Sequence, residues 1–323
     1  MIPTVDLTAS TAAEELADAF EQLGFVQVVG HHLNARASNR LRAACDTFFA
    51  APEEAKRRYV HPDPMANRGY RAKGAEALSY SLGEASPPDL FESFNCGPGA
   101  RVTDSPLQQR TPWPNTIAPD FHGAAEHYLI EMEQLSHRID SLIDSALDTD
   151  RKFTRSSNHG PDTMACINYT PSPDGTEVAE DGQQRMGAHS DYTTFTILNA
   201  DPVPGLQIVG SDGQWVDVIP DPDALLVNVG DVLAMYTNDV WSSTLHRVVP
   251  MAAGSAAYRR SIAYFHYPNL EVTVAPLDRF VSDDRPARYE AVTVADHLRS
   301  KLTAPKTQEP STGASTVAGR LEP

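Results

Sequence analysis

The sequence predicts a mainly β protein with flanking helices, built around an all-β sandwich or jelly-roll core. Between Thr163 and His266, short β-rich runs alternate with Gly, Asp and Asn turn signals, which is typical of about eight short strands. The runs GAHSDYTTFTIL and GDVLAMY are among these predicted strands. Ahead of this region, residues 119–147 carry one apolar stripe at helical spacing, which predicts a long helix that supports the core. The 323 residues are enough to bury a sizeable core.

The N-terminal part predicts a smaller region of mixed α and β structure. Thr11 to Glu14 has the spacing of a capping box, and Gly24 ends the helix that this box opens. The further elements predicted here are a strand over IPTVDL, a strand over 25–29, a helix over 35–49, a short helix over 52–59, and loops with short strands over 62–114.

These elements divide the chain into three segments. Residues 1–115 form an N-terminal region of helices, short strands and loops, and residues 116–302 hold the long helix and the jelly-roll region. The second segment closes with a helix predicted over 288–301. Residues 303–323, rich in Thr, Ser, Pro and Gly, predict a disordered tail, with a lid that orders over a ligand as the alternative.

Charge and composition limit the partners. The 26 Lys and Arg against 43 Asp and Glu give a net charge of −17, so nucleic acid and anionic membranes should be repelled, whereas a small anionic ligand needs only one local cation. No apolar run is long enough to span a membrane, and the first residues, MIPTVDLTAS, lack the basic residues and the apolar block of a signal peptide, so a cytoplasmic protein is expected. Three widely spaced cysteines, Cys45, Cys96 and Cys166, argue against a disulfide framework and against a cysteine zinc site.

The run MGAHSDYTTFTIL contains a candidate pair of metal ligands. His189 and Asp191 are two residues apart, so on a strand they would share a face. The pattern is weak alone: with 11 His and 43 acidic residues, chance gives roughly 1.5 such pairs. A second pair, His61 and Asp63, has proline between its members and lies in a turn-rich stretch, so we interpret it as a loop feature.

A third ligand strengthens the case. His246 lies 57 residues after His189 in the strand-like run STLHRVV, and a jelly roll can bring such strands together. Two histidines and one carboxylate occupy one face of a metal and leave three positions open, which suits non-haem Fe(II) that must bind O2 and another ligand. Catalytic zinc with a bound water is the alternative.

A candidate anion site follows in the strand RRSIAYF. Arg259 and Ser261 share one face, together with Ala263 and Phe265, while Arg260 faces the other way and is interpreted as a solvated charge. Arginine offers a planar fork to a carboxylate and serine adds a donor. Because a buried arginine needs a counter-charge, we expect an organic acid to supply it, with an internal salt bridge as the alternative.

Taken together, these residues resemble the isopenicillin N synthase-like family of Fe(II)/2-oxoglutarate oxygenases. The resemblance runs from about Ile2 to the helix near Leu302. It is carried by the His-x-Asp, His and Arg-x-Ser set and supported by the order of further motifs, namely ELADAFEQLGFVQVVGHHL, RGYRAKG, DLFESFNCGP, GLQIVGSDGQWVDV, LLVNVGDVLAMYTND and RRSIAYFHYPN.

The resemblance implies a double-stranded β-helix in which His189, Asp191 and His246 hold Fe(II). It implies that 2-oxoglutarate chelates the metal and that its distal carboxylate meets Arg259 and Ser261. The co-substrate would be converted with O2 to succinate and CO2 while a small organic metabolite is oxidised, most often by hydroxylation, alternatively by desaturation or cyclisation. The resemblance therefore identifies the chain as an oxidoreductase, a non-haem iron dioxygenase.

One departure concerns the strand before the metal motif. The family often has Asn-Tyr-Tyr-Pro there, with the second tyrosine helping to bind 2-oxoglutarate, whereas this chain has Asn168, Tyr169, Thr170 and Pro171. Asn168 is expected near the co-substrate, with a hydrogen-bonding role within the sheet as the alternative. Thr170 lacks the reach of tyrosine, so its contact to the carboxylate is lost or bridged by water.

Rival functions remain open from the residues alone. An iron-dependent oxidase of the same fold would not use 2-oxoglutarate, and Arg259 and Ser261 would hold the substrate carboxylate instead. A non-enzymatic jelly-roll binding protein would need neither His189 nor Asp191, and a zinc hydrolase lacks a recognisable general base. Candidate substrate-pocket residues are Tyr192, Phe195 and Phe265 and the loop over 68–70. The substrate itself and the oligomeric state are not determined.

Overall fold

The structure is a computed structural model that describes residues 2–63, 65–99, 105–149, 162–169, 179–250 and 258–307. Within these ranges the strands, numbered in chain order, are β1 Thr4–Asp6, β2 Phe25–Val29, β3 Gly69–Arg71, β4 Glu92–Cys96, β5 Thr163–Tyr169, β6 Met186–His189, β7 Phe195–Ala200, β8 Leu206–Val209, β9 Trp215–Val218, β10 Leu225–Val229, β11 His246–Val248, β12 Arg259–His266, β13 Thr273–Val274 and β14 Val292–Thr293.

The helices flank these strands in sequence. In the described residues they are α1 Ala12–Gln22, α2 Ala35–Phe49, α3 Glu53–Arg57, α4 Phe121–Ala146, α5 Asp231–Tyr236 and α6 Val294–Thr307. Short 3-10 helices cover Leu78–Leu82, Pro106–Gln108 and Asp278–Phe280. The helix predicted over 35–49, the strand predicted over 25–29 and the long supporting helix are confirmed.

Two sheets form the core. The large sheet has eight strands in the order β1-β2-β10-β7-β12-β5-β4-β3, and the small sheet has four in the order β6-β11-β8-β9. Strands β1 to β4 of the N-terminal region therefore lie in the same sheet as the strands that follow α4. The jelly-roll architecture predicted from the sequence is confirmed.

The two faces of the large sheet bury different side chains. Along β12, Ile262 and Tyr264 pack with α1, α2 and α4 in one apolar core, whereas Ala263 packs with Leu206 and Val248 of the small sheet in another. This follows from strand geometry, because successive side chains point to opposite faces. The functional residues of β12 lie on the second face, between the sheets.

Two β predictions were wrong in detail. The run GDVLAMY was read as a strand but forms α5, because a short apolar run does not distinguish a strand from a buried helical turn. The run GAHSDYTTFTIL is not one strand: β6 ends at His189, and β7 begins at Phe195.

The C-terminal prediction also needs correction. The last helix spans Val294–Thr307 rather than 288–301, and the hydroxyl of Thr293 accepts a hydrogen bond from the backbone N–H of Asp296 at 3.1 Å, which caps its first turn. The segment assigned to a tail from residue 303 is therefore helical as far as Thr307. Residues 308–323 lie outside the described part, so the tail and lid alternatives stay predictions there.

Candidate active site

The three candidate metal ligands lie together between the sheets. His189 ends β6, His246 begins β11, and these two residues are paired across the antiparallel ladder. Asp191 Oδ1 lies 3.9 Å from His189 Nε2 and 3.7 Å from His246 Nε2. One ligand atom from each residue lies within 4.8 Å of the others, and all three side chains are buried. Such a cluster can bind one metal ion.

Backbone carbonyls orient both imidazole rings. His189 Nδ1 lies 2.8 Å from the carbonyl oxygen of Gly187, and His246 Nδ1 lies 3.1 Å from that of Thr244. A ring that donates from Nδ1 keeps Nε2 as an acceptor, which is the form that binds a metal. Burial and the neighbouring His246 lower the pKa of His189 to about 4, so its imidazole is neutral at neutral pH.

The third candidate ligand, Asp191, lies in the loop after β6 and not on a strand. Its second oxygen, Asp191 Oδ2, accepts a hydrogen bond of 2.7 Å from Asn228 Nδ2 on β10. The backbone carbonyl of Asp191 accepts a hydrogen bond of 2.7 Å from the N–H of Asp231. The prediction that His189 and Asp191 share one face of a strand was therefore wrong, although the two side chains do lie close together.

A close backbone approach shapes this loop. A Cβ placed on Gly230 would lie 2.1 Å from the carbonyl oxygen of Thr193, which no side chain can tolerate. Only glycine therefore allows the start of α5 to pass so near the loop that carries Asp191.

The cluster of candidate metal ligands, called the metal cluster below, lines a cavity of about 140 Å³. Its walls come from both sheets, from the 3-10 helix at Leu78 and from the end of α6. The predicted residues Arg259, Ser261, Tyr192 and Phe265 all line it together with the three candidate ligands. The structure thus brings the metal cluster and the anion site into one space.

Arg259 is buried without a carboxylate partner in the described residues. Its side chain is 1% exposed, and its Nε and Nη2 atoms have no hydrogen-bond acceptor there. The guanidinium lies 5.3 Å from the ring centre of Tyr169, and Ser261 lies two residues along the same face of β12. A buried guanidinium with free donors needs an anion, so the cavity is suited to a ligand carboxylate.

The neighbouring Arg260 behaves differently. It forms ion pairs with Asp46 at 2.7 Å and Asp201 at 3.1 Å, so it is not the free solvated charge that was expected. Its orientation away from Arg259 is as predicted, because it contacts α2 on the outer face of the sheet.

Asn168 does not lie where the sequence placed it. Its Nδ2 donates a hydrogen bond of 2.9 Å to Glu92 Oε1, and it pairs in register with Arg260 rather than with Arg259. The residue that shares the cavity face is Tyr169, opposite Arg259. The expected position beside the co-substrate needs correction, since the strand alternation directs Asn168 to the other face. Thr170 lies outside the described residues.

Some of the aromatic candidates line the cavity, and others lie in the protein core. Tyr192 and Phe265 line the cavity, whereas Phe195 is fully buried in the helix-facing core and its ring lies 4.8 Å from that of His266. The segment 68–70 was predicted as a loop, but Gly69 and Tyr70 belong to β3, and Arg68 is 3% exposed and donates a hydrogen bond to Thr163. None of these three residues lines the cavity. His61 Nδ1 lies 3.1 Å from the backbone nitrogen and 3.2 Å from the carbonyl oxygen of Asp63, as expected for a turn.

Several cavity residues were missed from the sequence. They include Asn228, Tyr169, Asn67, Asn95, Tyr267 and the α6 residues Leu302, Pro305 and Lys306. A signal existed for Asn228, the one polar residue in the apolar run ALLVNV, because a polar side chain in a buried strand needs a partner. The α6 residues carried no such signal, since only tertiary packing brings them to the cavity.

Comparison with known proteins identifies the class. A model of the 2OG-Fe(II) oxygenase superfamily matches residues 161–268, and a model of the non-haem dioxygenase in morphine synthesis N-terminal region matches residues 2–118. The chain is 29% identical to clavatol oxidase of Penicillium crustosum over 94% of its own length and 96% of that protein. It is 30% identical to gibberellin 2-beta-dioxygenase 3 of Arabidopsis thaliana, over 95% and 87% of the two chains.

A solved structure agrees. A full-length protein of Neurospora crassa in complex with alpha-KG, another name for 2-oxoglutarate, superposes with a TM-score of 0.81 at 26% identity, covering 94% of this chain and 96% of that one. The same Neurospora crassa protein has been solved with alpha-KG and thymine, with equal coverage.

The chain belongs to the 2OG-Fe(II) oxygenase superfamily, and the resemblance to isopenicillin N synthase-like enzymes is confirmed. It is a non-haem iron dioxygenase that uses Fe(II), 2-oxoglutarate and O2. The buried histidine–carboxylate cluster and the buried guanidinium of Arg259, which has no carboxylate partner among the described residues, fit this cofactor set. No helix in the described ranges has both the length and the apolar character to cross a membrane.

Proposed function

We propose that His189, Asp191 and His246 are the iron ligands and that Arg259 and Ser261 bind the distal carboxylate of 2-oxoglutarate. The observation that carries this proposal is the buried guanidinium of Arg259, which lacks a carboxylate among the described residues and lines the same cavity as the three ligands. Fe(II) with 2-oxoglutarate and O2 supplies the oxidising chemistry, and succinate and CO2 are released.

The protein side chains contribute orientation and a dry environment. Gly187 and Thr244 fix the two imidazoles through their carbonyl oxygens, and Asn228 fixes the carboxylate. Most of the remaining cavity wall is apolar, including Met186, Leu206 and Val248, so water competes weakly with the bound ligands.

The proposed substrate is a small organic metabolite, and hydroxylation is the proposed outcome, with desaturation or cyclisation as alternatives. A cavity of about 140 Å³ supports a small ligand. The names of the relatives support small molecules as well, since they include a clavatol oxidase and a structure with bound thymine. The net charge of −17 argues against nucleic acid and anionic membranes as partners.

We place the enzyme in the cytoplasm. The support is chemical: all three cysteines are free and buried, which is ordinary for a protein that folds in a reducing compartment.

The test is an anaerobic titration. Metal-free protein is mixed with Fe(II) and then with 2-oxoglutarate, and the visible spectrum is followed for the charge-transfer band of a chelated 2-oxo acid. We expect the band only when protein, Fe(II) and 2-oxoglutarate are all present, and we expect His246→Ala to abolish it. Iron binding without the band would favour the oxidase in which Arg259 holds the substrate carboxylate.

Asp191→Ala is the companion variant. It should lose iron binding and turnover while the far-ultraviolet circular dichroism stays unchanged, because the side chain projects into an open cavity. Full activity in this variant would overturn the ligand assignment.

A further inference from the structure

The cavity holds a second polar group, two strands away from the strand of Arg259. Asn95 on β4 and Asn67, just before β3, both line the cavity. Asn95 Nδ2 donates a hydrogen bond of 2.7 Å to Asn67 Oδ1. Asn95 is 6% exposed, and its Oδ1 has no hydrogen-bond partner among the described residues. A buried amide oxygen left without a donor costs free energy unless a ligand satisfies it.

The chemistry of this pair follows from the amide group itself. Each side-chain amide carries one acceptor oxygen and one NH2 donor. When one amide donates to the other, the pair retains one free oxygen and one free NH2, whichever residue acts as the donor. The Asn67–Asn95 pair therefore offers an acceptor next to a donor, which is the pattern that a cis-amide edge requires.

The floor of the cavity leads from this pair across β5 to β12, the strand that carries Arg259. Asn95 is in register with Ala165 on β5, and Ala165 is in register with Ala263 on β12. These two alanines line the cavity and leave room above the sheet. Two strand spacings make this row about 10 Å long, enough for one small ring.

The charged residues that line the cavity near the Asn67–Asn95 pair interact with other parts of the protein. Glu76 and Lys306 line the cavity with opposite signs. Glu76 lies 3.8 Å from Arg71, and Lys306 donates to the carbonyl oxygen of Met65 at 3.3 Å. Both are therefore engaged with the protein, and the amide pair is a neutral polar group on this side of the cavity.

We propose that the Asn67–Asn95 pair binds the substrate through an adjacent N–H and C=O, as in a lactam, a cyclic imide or the amide edge of a heterocycle. The inference rests on the proposed function, since it assigns the substrate class of the same cavity. The ligand N–H donates to the free amide oxygen, and the ligand C=O accepts from the free NH2. A carboxylate fits poorly, because it has no donor for the amide oxygen.

The test uses simple ring probes with protein loaded anaerobically with Fe(II) and 2-oxoglutarate. Binding of 2-piperidone and glutarimide is compared with that of their N-methyl derivatives by isothermal titration calorimetry. We expect the N–H compounds to bind roughly tenfold more tightly or better, because methylation removes one hydrogen bond and leaves the buried oxygen unpaired. Equal binding of both forms, or no binding of either, overturns the inference without any variant.

A variant and a control complete the design. Asn95→Leu should abolish the preference for the N–H compounds while the charge-transfer band of bound 2-oxoglutarate remains. Asn115→Leu, at an exposed position, should leave both the preference and the band unchanged. A preference that survives in Asn95→Leu overturns the inference alone. Absence of the band in the unaltered enzyme overturns the proposed function and this inference with it.

Discussion

Two adjacent arginines show how much the face of a strand decides for a single residue. Arg259 lies in the cavity without a carboxylate partner in the described residues, whereas Arg260 binds Asp46 and Asp201 on the opposite face. The two residues have the same chemistry and neighbouring positions. Their functions therefore separate only because successive side chains of β12 point in opposite directions.

Arg259→Ala should weaken 2-oxoglutarate binding much more than Arg260→Ala. The first change removes charge-assisted hydrogen bonds worth about 1.5–3 kcal/mol, which corresponds to roughly 10- to 100-fold in the dissociation constant. The second removes partly buried ion pairs on the outer face of the sheet, so it should alter stability and leave the affinity close to that of the unaltered enzyme. Titration of the charge-transfer band measures both, and equal losses would contradict the assignment.

Asn228 is a positioning residue for the candidate iron ligand. It donates to Asp191 Oδ2 at 2.7 Å from a buried position, and loss of such a partner typically costs 10- to 100-fold in metal affinity. We expect about that loss of Fe(II) affinity in Asn228→Leu, measured by competition with a chromophoric chelator. Asn199→Leu is a matched control, because this asparagine binds Ser38 and Tyr128 on the outer face. Equal Fe(II) affinity in both variants would argue against the role.

At the scale of elements, α6 links the cavity to the loop after β6, which carries Asp191. Its residues Leu302, Pro305 and Lys306 line the cavity. One turn earlier, Lys301 Nζ lies 3.3 Å from Asp231 Oδ2, and Asp231 donates its backbone N–H to the carbonyl of Asp191. Burial would raise the pKa of Asp231, but Lys301 and His297 hold it below its ordinary value, so the carboxyl stays ionised. A buried ion pair therefore ties the last helix to the site.

Lys301→Met should loosen this helix. Methionine keeps an apolar stem but leaves the Asp231 carboxylate without its cation, a change that typically costs about 3 kcal/mol or more. Urea unfolding should show that loss, and hydrogen exchange should show reduced protection of the α6 amides. Arg299→Ala on the same helix breaks a pair whose side chains are more than half exposed, so it should cost at most about 1 kcal/mol. Equal effects would mean that the buried pair does not anchor α6.

At the scale of the whole molecule, a buried charge cluster joins α4 to the large sheet. His266 on β12 lies 3.1 Å from Asp140 on α4 and 3.4 Å from Asp162, which precedes β5. Burial lowers the pKa of His266, but the two carboxylates outweigh this effect and raise it to about 10. The imidazolium is therefore part of the folded protein at neutral pH.

The pH dependence of stability follows from this shift. The folded protein keeps the His266 proton up to about pH 10, whereas the unfolded chain loses it near its ordinary pKa of 6.5. The contribution is complete below about pH 6.5, and it falls as the pH rises towards 10. Denaturant titrations at pH 6.5, 8 and 9.5 should show this decline.

A variant isolates the contribution of this histidine. In His266→Gln, the decline in the free energy of unfolding between pH 6.5 and 9.5 should be shallower. His127→Gln, with a half-exposed ring on α4, should keep the slope of the unaltered protein. The same slope in all three proteins would show that His266 does not carry the proton.

Sequence reasoning succeeded wherever a local pattern was sufficient. The period of strand β12 placed Arg259, Ser261 and Phe265 on one face, and these residues line one cavity. It failed where two segments must be known together. Asn168 was assigned to the cavity although its partner Glu92 lies on a neighbouring strand, and GDVLAMY was assigned to a strand although contacts with the loop after β6 stabilise a helical turn.

The sequence by itself determined the jelly-roll class, the candidate metal ligands His189, Asp191 and His246, and the arginine and serine that share one face of β12. It did so because periodicity and ligand chemistry are encoded in residue types and short spacings. Only the tertiary structure decided that Asp191 projects from a loop, that residues of α6 line the cavity and that Asn67 meets Asn95. These contacts join residues distant in sequence, and their geometry depends on how the sheets pack.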